Sequence, residues 1–100
     1  MILIYTTLEN NEQARKIAHI LLQNKLTNCV NFFPINCIYN YKNKIEEESE
    51  TVLIIKTKED KFNQVEKVIK ENISFENFIG QIEVKKINDE FENWLNSSVA

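Results

Sequence analysis

Glycine and proline are nearly missing from this chain of 100 residues, one of each, and histidine, methionine and tryptophan also occur once each. A single glycine, Gly80, cannot build the multi-glycine loops that cradle phosphate in P-loop or dinucleotide-binding proteins. With one histidine, His19, and with Ser49, Ser74, Ser97 and Ser98 outside any GxSxG setting, there is no hydrolytic triad to assemble. The two cysteines, Cys29 and Cys37, lack a CxxC spacing, and reduced thiols are expected in preference to a disulfide. No apolar run approaches the length needed to cross a bilayer, so no membrane partner is expected. The opening MILIYTT is apolar but short and has no basic leader, which reads as a buried first strand and gives a cytoplasmic expectation. The net charge of -3, with lysines dispersed and not interleaved with aromatics, argues against nucleic acid as a partner.

What is present is globular in composition, 43% hydrophobic and 27% charged, and of a length that suits one domain over residues 1–100. Met1 to Thr7 carries Ile2, Leu3, Ile4 and Tyr5, a run expected of a central strand buried on both faces. From Asn11 to Lys25 the period becomes helical, with Ala14, Ile17, Ala18, Leu21 and Leu22 on one side and Asn10 and Gln13 as a loose capping pair. The stretch Leu26 to Thr57 reads as one long antiparallel hairpin with Pro34 at a bend or edge and a turn at Lys42 and Asn43. Glu59 and Asp60 then precede a second helix with Phe62, Val65, Val68 and Ile69 on its apolar face. Phe78 to Ile87 alternates partially, with Gly80 as a possible bulge, and Asp89 to Asn96 closes as a helix anchored by Phe91, Trp94 and Leu95.

Strand, helix, strand, strand, helix, strand and a short terminal helix is the split βαβ order of a ferredoxin-like α+β sandwich. Right-handed crossovers place both main helices on one sheet face and leave the other uncovered. An exposed apolar patch of that size, together with a long hairpin whose edges are unpaired, calls for burial between subunits. A homotrimer is the expected solution once the resemblance below is considered.

The segments YTT, KIAHILLQNKL leading into CVN, CIYNYKNKIEEESE, VLIIKT and NWL together resemble the CutA family, the divalent-cation tolerance proteins. The family's usual wording is close to LAACVN followed by SIYxWxGKIExxxE, and it is met here by Leu26, Cys29, Val30 and Asn31, then Ile38, Tyr39, Tyr41, Lys44, Ile45, Glu46 and Glu50. The resemblance covers nearly the whole chain and implies a tight homotrimer of ferredoxin-like subunits, without catalysis of its own, linked to copper and other divalent cations. Where most relatives carry His-Pro-Tyr-Glu after the second helix, this chain has Ile73, Ser74, Phe75 and Glu76, so the imidazole usually proposed as a metal ligand has no counterpart. The turn glycine is Asn43, which tolerates positive φ better than other side chains.

Two readings of the candidate residues follow from the resemblance. Cys29 and Glu76 are the metal candidates, the thiolate being a soft ligand suited to Cu(I), although a lone strand cysteine is more often a small buried hydrophobe. Cys37 shares a face with Cys29 only if Pro34 leaves the pleat in phase. Tyr39, Lys44 and Phe75 are expected at a cleft between subunits, where the segment Ile73 to Glu76 of one chain approaches the hairpin of the next. The run Glu46, Glu47, Glu48, Glu50 lacks the spacing of a calcium loop and reads as a solvated strand surface or a register-setting partner for Lys44 or Lys56. The alternative function is a signalling or scaffold trimer that takes a small metabolite or a partner protein at the same clefts, without metal.

Overall fold

In the computed structural model, which describes Met1–Ala100, four antiparallel strands form one sheet in the order β2-β3-β1-β4. They are β1 (Ile2–Leu8), β2 (Cys29–Tyr41), β3 (Lys44–Thr57) and β4 (Ile79–Glu83), with helices α1 (Asn11–Gln23), α2 (Phe62–Glu71) and α3 (Asp89–Ser98). Strand β3 lies between β1 and β2, the split βαβ arrangement of the ferredoxin-like sandwich. A short 3-10 turn, Glu59–Lys61, leads into α2.

Helix α1 buries Ala14, Ile17, Ala18 and Leu21, spaced i, i+3, i+4, i+7 along one stripe. Its start is capped twice: the Gln13 backbone N–H donates to Asn10 Oδ1 at 2.9 Å, and the Gln13 side-chain Oε1 accepts from the Glu9 backbone N–H at 2.8 Å. Its end is a Schellman turn, with Leu26 N–H donating to the Leu21 carbonyl and Lys25 N–H to that of Leu22. Lys25 adopts a φ of 56° there, a left-handed conformation that disfavours a side chain. Lys25→Gly is therefore expected to stabilise the chain by about 0.5 to 1 kcal/mol, read as a shift in the urea midpoint at unchanged slope.

The helical stripes and one face of the sheet make a single core of Ile2, Ile4, Leu8, Leu53, Ile55, Val65 and Ile69 around the buried side of α1. Burial along β1 alternates strictly, with Ile2, Ile4, Thr6 and Leu8 buried and Leu3, Tyr5 and Thr7 half-buried. Contrary to the reading of the apolar run, this strand is thus sealed on one face only within a single chain. The open face is not wholly bare either. Because Ile55 enters the helix-side core, its neighbour Lys56 points the other way, and its ammonium lies 5.4 Å from the Phe91 ring of α3. Helix α3 covers one end of that face, tied by Asn28 to the Trp94 carbonyl, Lys58 to the Val99 carbonyl and the Ala100 amide to the Lys25 carbonyl.

Two further expectations change. Strand β4 stops at Glu83 and does not run to Ile87, because β1 begins at Ile2; after Ile2 pairs with Glu83, the remaining bond is Val84 N–H to the Met1 carbonyl. Gly80 makes no bulge: it pairs with Tyr5 in an unbroken register. Its missing side chain instead makes room for the Phe78 ring, which would overlap any Cβ there and meets Tyr5 edge to face with centroids 6.1 Å apart.

The hairpin is also continuous, from Cys29 opposite Lys56 to Tyr41 opposite Lys44, so Pro34 sits in phase on the edge strand. Lys42 and Asn43 both have positive φ, 50° and 65°, a two-residue turn of the primed kind that matches strand twist. Strand β1 ends at Leu8, opposite Thr51, so beyond that rung the hairpin is a free two-stranded ribbon of about seven rungs, roughly 23 Å. This arm gives the molecule its 47 × 26 × 21 Å extents and a radius of gyration of 14.4 Å, above the roughly 13 Å of a compact chain of this length.

Candidate functional site

Beside the root of the ribbon lies an open groove of about 760 Å³. One wall is the ribbon, whose pleat directs Cys37, Tyr39 and Tyr41 of β2 to the same face as Glu48 and Glu50 of β3. The other wall is the loop before β4, with Phe75, Glu76, Asn77 and Phe78, and Thr7 and Glu9 close the inner end. The loop is fixed by polar contacts to the buried end of β1. The Asn77 side-chain amide donates to Thr6 Oγ1 at 2.9 Å and to the Thr7 carbonyl at 2.8 Å, while the Thr6 hydroxyl donates to the Phe78 carbonyl at 2.8 Å. Groups so held keep one wall of the groove in place without a ligand.

The electrostatics are one-sided. The molecule has two ion pairs, Met1 with Glu59 and Lys70 with Glu66, and neither involves Glu9, Glu48, Glu50 or Glu76. The effect is felt by the neighbouring acids. Hydrogen bonding to Glu50, then desolvation and the charges of Glu50 and Glu48, hold the Cys37 thiol above its ordinary titration range. Hydrogen bonding to Glu48 does the same for the Tyr39 hydroxyl, with desolvation and further carboxylates adding to it. A raised thiol is a poorer nucleophile near neutrality, since only the thiolate reacts. Glu50→Gln is expected to speed alkylation of Cys37 by iodoacetamide at pH 8 severalfold, followed by mass spectrometry of the Cys37 peptide, whereas an unchanged rate would mean that Glu50 does not hold the proton.

The structure brings together three of the expected residues, Tyr39, Phe75 and Glu76, and leaves two apart. Lys44 faces Tyr41 at the ribbon tip, exposed and outside the groove. Cys29 shares the sheet face of Cys37 but lies eight residues back along β2, about 26 Å away. Its thiol has the Lys56 ammonium 3.6 Å from Sγ, a neighbour that competes with any metal cation for the sulfur. The segment expected to approach a neighbouring hairpin already faces the hairpin of its own chain. His19 is exposed on α1, on the far side of the sheet, and no three His, Cys, Asp or Glu side chains converge within one chain to hold a metal ion. No helix is long and apolar enough to cross a membrane.

Cys37 was readable from the sequence as a groove residue, since strand alternation links it to Tyr39 and Tyr41 once Pro34 is in phase. Asn77 and Thr6 were not, because their pairing joins positions 71 residues apart and no local pattern announces it.

Comparison with known proteins supplies the lineage. The family model described as CutA1 divalent ion tolerance protein matches residues 2–98. A divalent-cation tolerance protein CutA of Archaeoglobus fulgidus is 36% identical over 97 residues, covering 96% of this chain and 95% of the relative. The protein of the same name from Thermotoga maritima is 34% identical over 100 residues, covering 99% of each. Among solved structures, the periplasmic divalent cation tolerance protein CutA from Archaeoglobus fulgidus superposes with a TM-score of 0.95 at 35% identity over all of both chains. CutA1 from Pyrococcus horikoshii does so with a TM-score of 0.94 at 32% identity, over 100% of this chain and 99% of that one.

Proposed function

This chain belongs to the CutA1 family of divalent ion tolerance proteins, and from that premise we propose that it acts as a non-enzymatic homotrimer that binds copper or another divalent metal at clefts between subunits. The observation that carries the reading is the ribbon, which is bare on both faces: Ile38 and Ile45 are 65% and 77% exposed on one, and Tyr41 is 57% exposed on the other. A two-stranded ribbon is marginal in water, and its unpaired edges and apolar side chains are covered most simply by further copies of the same chain.

Assembly and metal binding are connected in this reading. A tightly held metal takes three or more protein donors, and one chain offers no such cluster. Glu76 and the thiol of Cys37 contribute from one subunit, and a neighbouring ribbon completes the set. Cys37 lines the same groove as Glu76, from the opposite wall, while Cys29 lies outside it with Lys56 against its sulfur. The cytoplasm is the setting that goes with this chemistry, because thiol donors stay reduced there.

Calorimetric titration with Cu(I) under reducing conditions, and with Cu(II) in the absence of added thiol, tests the metal half, and sedimentation of the same sample tests the assembly. Saturable binding that Cys37→Ser or Glu76→Gln weakens, in a protein sedimenting as a trimer, is the expected result. An intact trimer with no saturable binding in either titration removes metal binding from the reading.

A further inference from the structure

We propose that Thr6 and Asn77 are positioning residues for Glu76: their side chains clasp the 75–78 loop to the buried end of β1 and so set the affinity with which Glu76 contributes to a metal site. The inference rests on the metal reading and adds to it the residues on which the loop's geometry depends.

Residues 73–78 belong to no helix or strand, and none of them takes part in a backbone–backbone hydrogen bond. A segment of that kind is ordinarily among the first parts of a domain to open. Here three side-chain bonds hold it, and all of them run through two residues. Asn77 Nδ2 donates to Thr6 Oγ1 and to the Thr7 carbonyl, and the Thr6 hydroxyl donates to the Phe78 carbonyl. Thr6 therefore accepts from one loop residue and donates to the next, and the two anchored residues follow Glu76 directly. The site of Thr6 in the core supports this role. It is fully buried in the stripe of Ile2, Ile4 and Leu8, where a valine of the same shape would fill the space with no hydroxyl to desolvate. No ligand can touch it there, so any effect it has on binding passes through the loop. Glu76 is exposed and forms no ion pair, which leaves the anchored backbone beside it to fix the reach of its carboxylate. A donor already held in place loses little freedom on binding.

The test titrates the whole protein with Cu(I) under reducing conditions and, separately, follows cleavage of the 76–77 bond by a glutamate-specific endoprotease under native conditions. Thr6→Val is expected to weaken copper binding about tenfold, while Thr6→Ser, which keeps the hydroxyl, stays within about twofold of the unmodified protein. In a Glu76→Gln background, Thr6→Val should add no further loss. Cleavage after Glu76 should quicken about tenfold in Thr6→Val, with cleavage after Glu66 in α2 unchanged. Equal affinity for Thr6→Val and the unmodified protein, a Thr6→Ser variant no better than Thr6→Val, or losses that multiply with Glu76→Gln overturns the proposal. So does unchanged cleavage after Glu76, whatever the titration gives. If sedimentation shows that Thr6→Val does not assemble, Asn77→Leu, which removes the donating amide, is read by the same criteria save the serine comparison. An unmodified trimer that binds no copper refutes the metal reading and the affinity half of this proposal with it, whereas copper binding indifferent to Thr6→Val refutes the proposal alone.

Discussion

Replacing Ile45 with aspartate is expected to leave an isolated subunit folded and to abolish its association with other copies. Ile45 is 77% exposed in the single chain and faces Asn40 across the ribbon, so a carboxylate there stays hydrated and costs the subunit almost nothing. In an assembly that buries the ribbon, the same carboxylate loses its water without gaining a partner, at about 3 to 5 kcal/mol per copy. Equilibrium sedimentation distinguishes the cases. A trimer for the unmodified chain and a folded monomer for Ile45→Asp is the expected pair; a variant that stays trimeric at the same concentration would show that the ribbon is not the interface.

Ile55→Ala is the largest effect expected inside the subunit. Ile55 is fully buried, stands opposite Ile4 on one side and Val30 on the other, and belongs to the core beneath α1 and α2. Removing its outer carbons leaves a cavity in a packed layer, which costs about 2 to 5 kcal/mol and lowers the melting temperature by roughly 10 to 30 °C. Its neighbour Ile54 points to the open face and is half-buried in the single chain. Ile54→Ala is therefore expected to cost an isolated subunit, such as the Ile45→Asp variant, clearly less. Thermal melts of both alanine variants in that background compare the two faces directly, and equal losses would mean that the open face is packed as tightly as the core without any partner.

Much of the fold could be read from local pattern because the residues that form each element also bury it. Ala14, Ile17, Ala18 and Leu21 specify α1 by spacing alone, and the turn at Lys42 and Asn43 is marked by Asn43, which tolerates positive φ, between Tyr41 and Ile45. Where the reading failed, the cause lay in partners remote in sequence. Strand β4 ends because β1 has no residue left to pair with it, which Val84 and Ile87 cannot reveal. Gly80 looked like a bulge because a glycine in a strand often marks one, whereas its role is to admit the ring of a residue two places earlier. An apolar run also does not say whether its second face is covered by the same chain or by another: within one chain only Ile2, Ile4, Thr6 and Leu8 of β1 are fully buried. The groove was half legible. Its aromatic and acidic ribbon residues follow from alternation and from the family resemblance, but the opposing loop is placed by Asn77 and by a threonine at the other end of the sequence.

The bare ribbon also bears on the life of a newly made subunit. Until it meets its companions, such a chain carries two open strand edges that any extended polypeptide could join. Glu46, Glu48 and Glu50 on one side of β3 and Glu47 on the other set like charges against each other where these segments of two copies would pair. Synthesis at low abundance should then yield lone subunits that stay dispersed by mutual repulsion, and crowding by strong salt, which screens those glutamates, should favour tangled aggregates over ordered assembly.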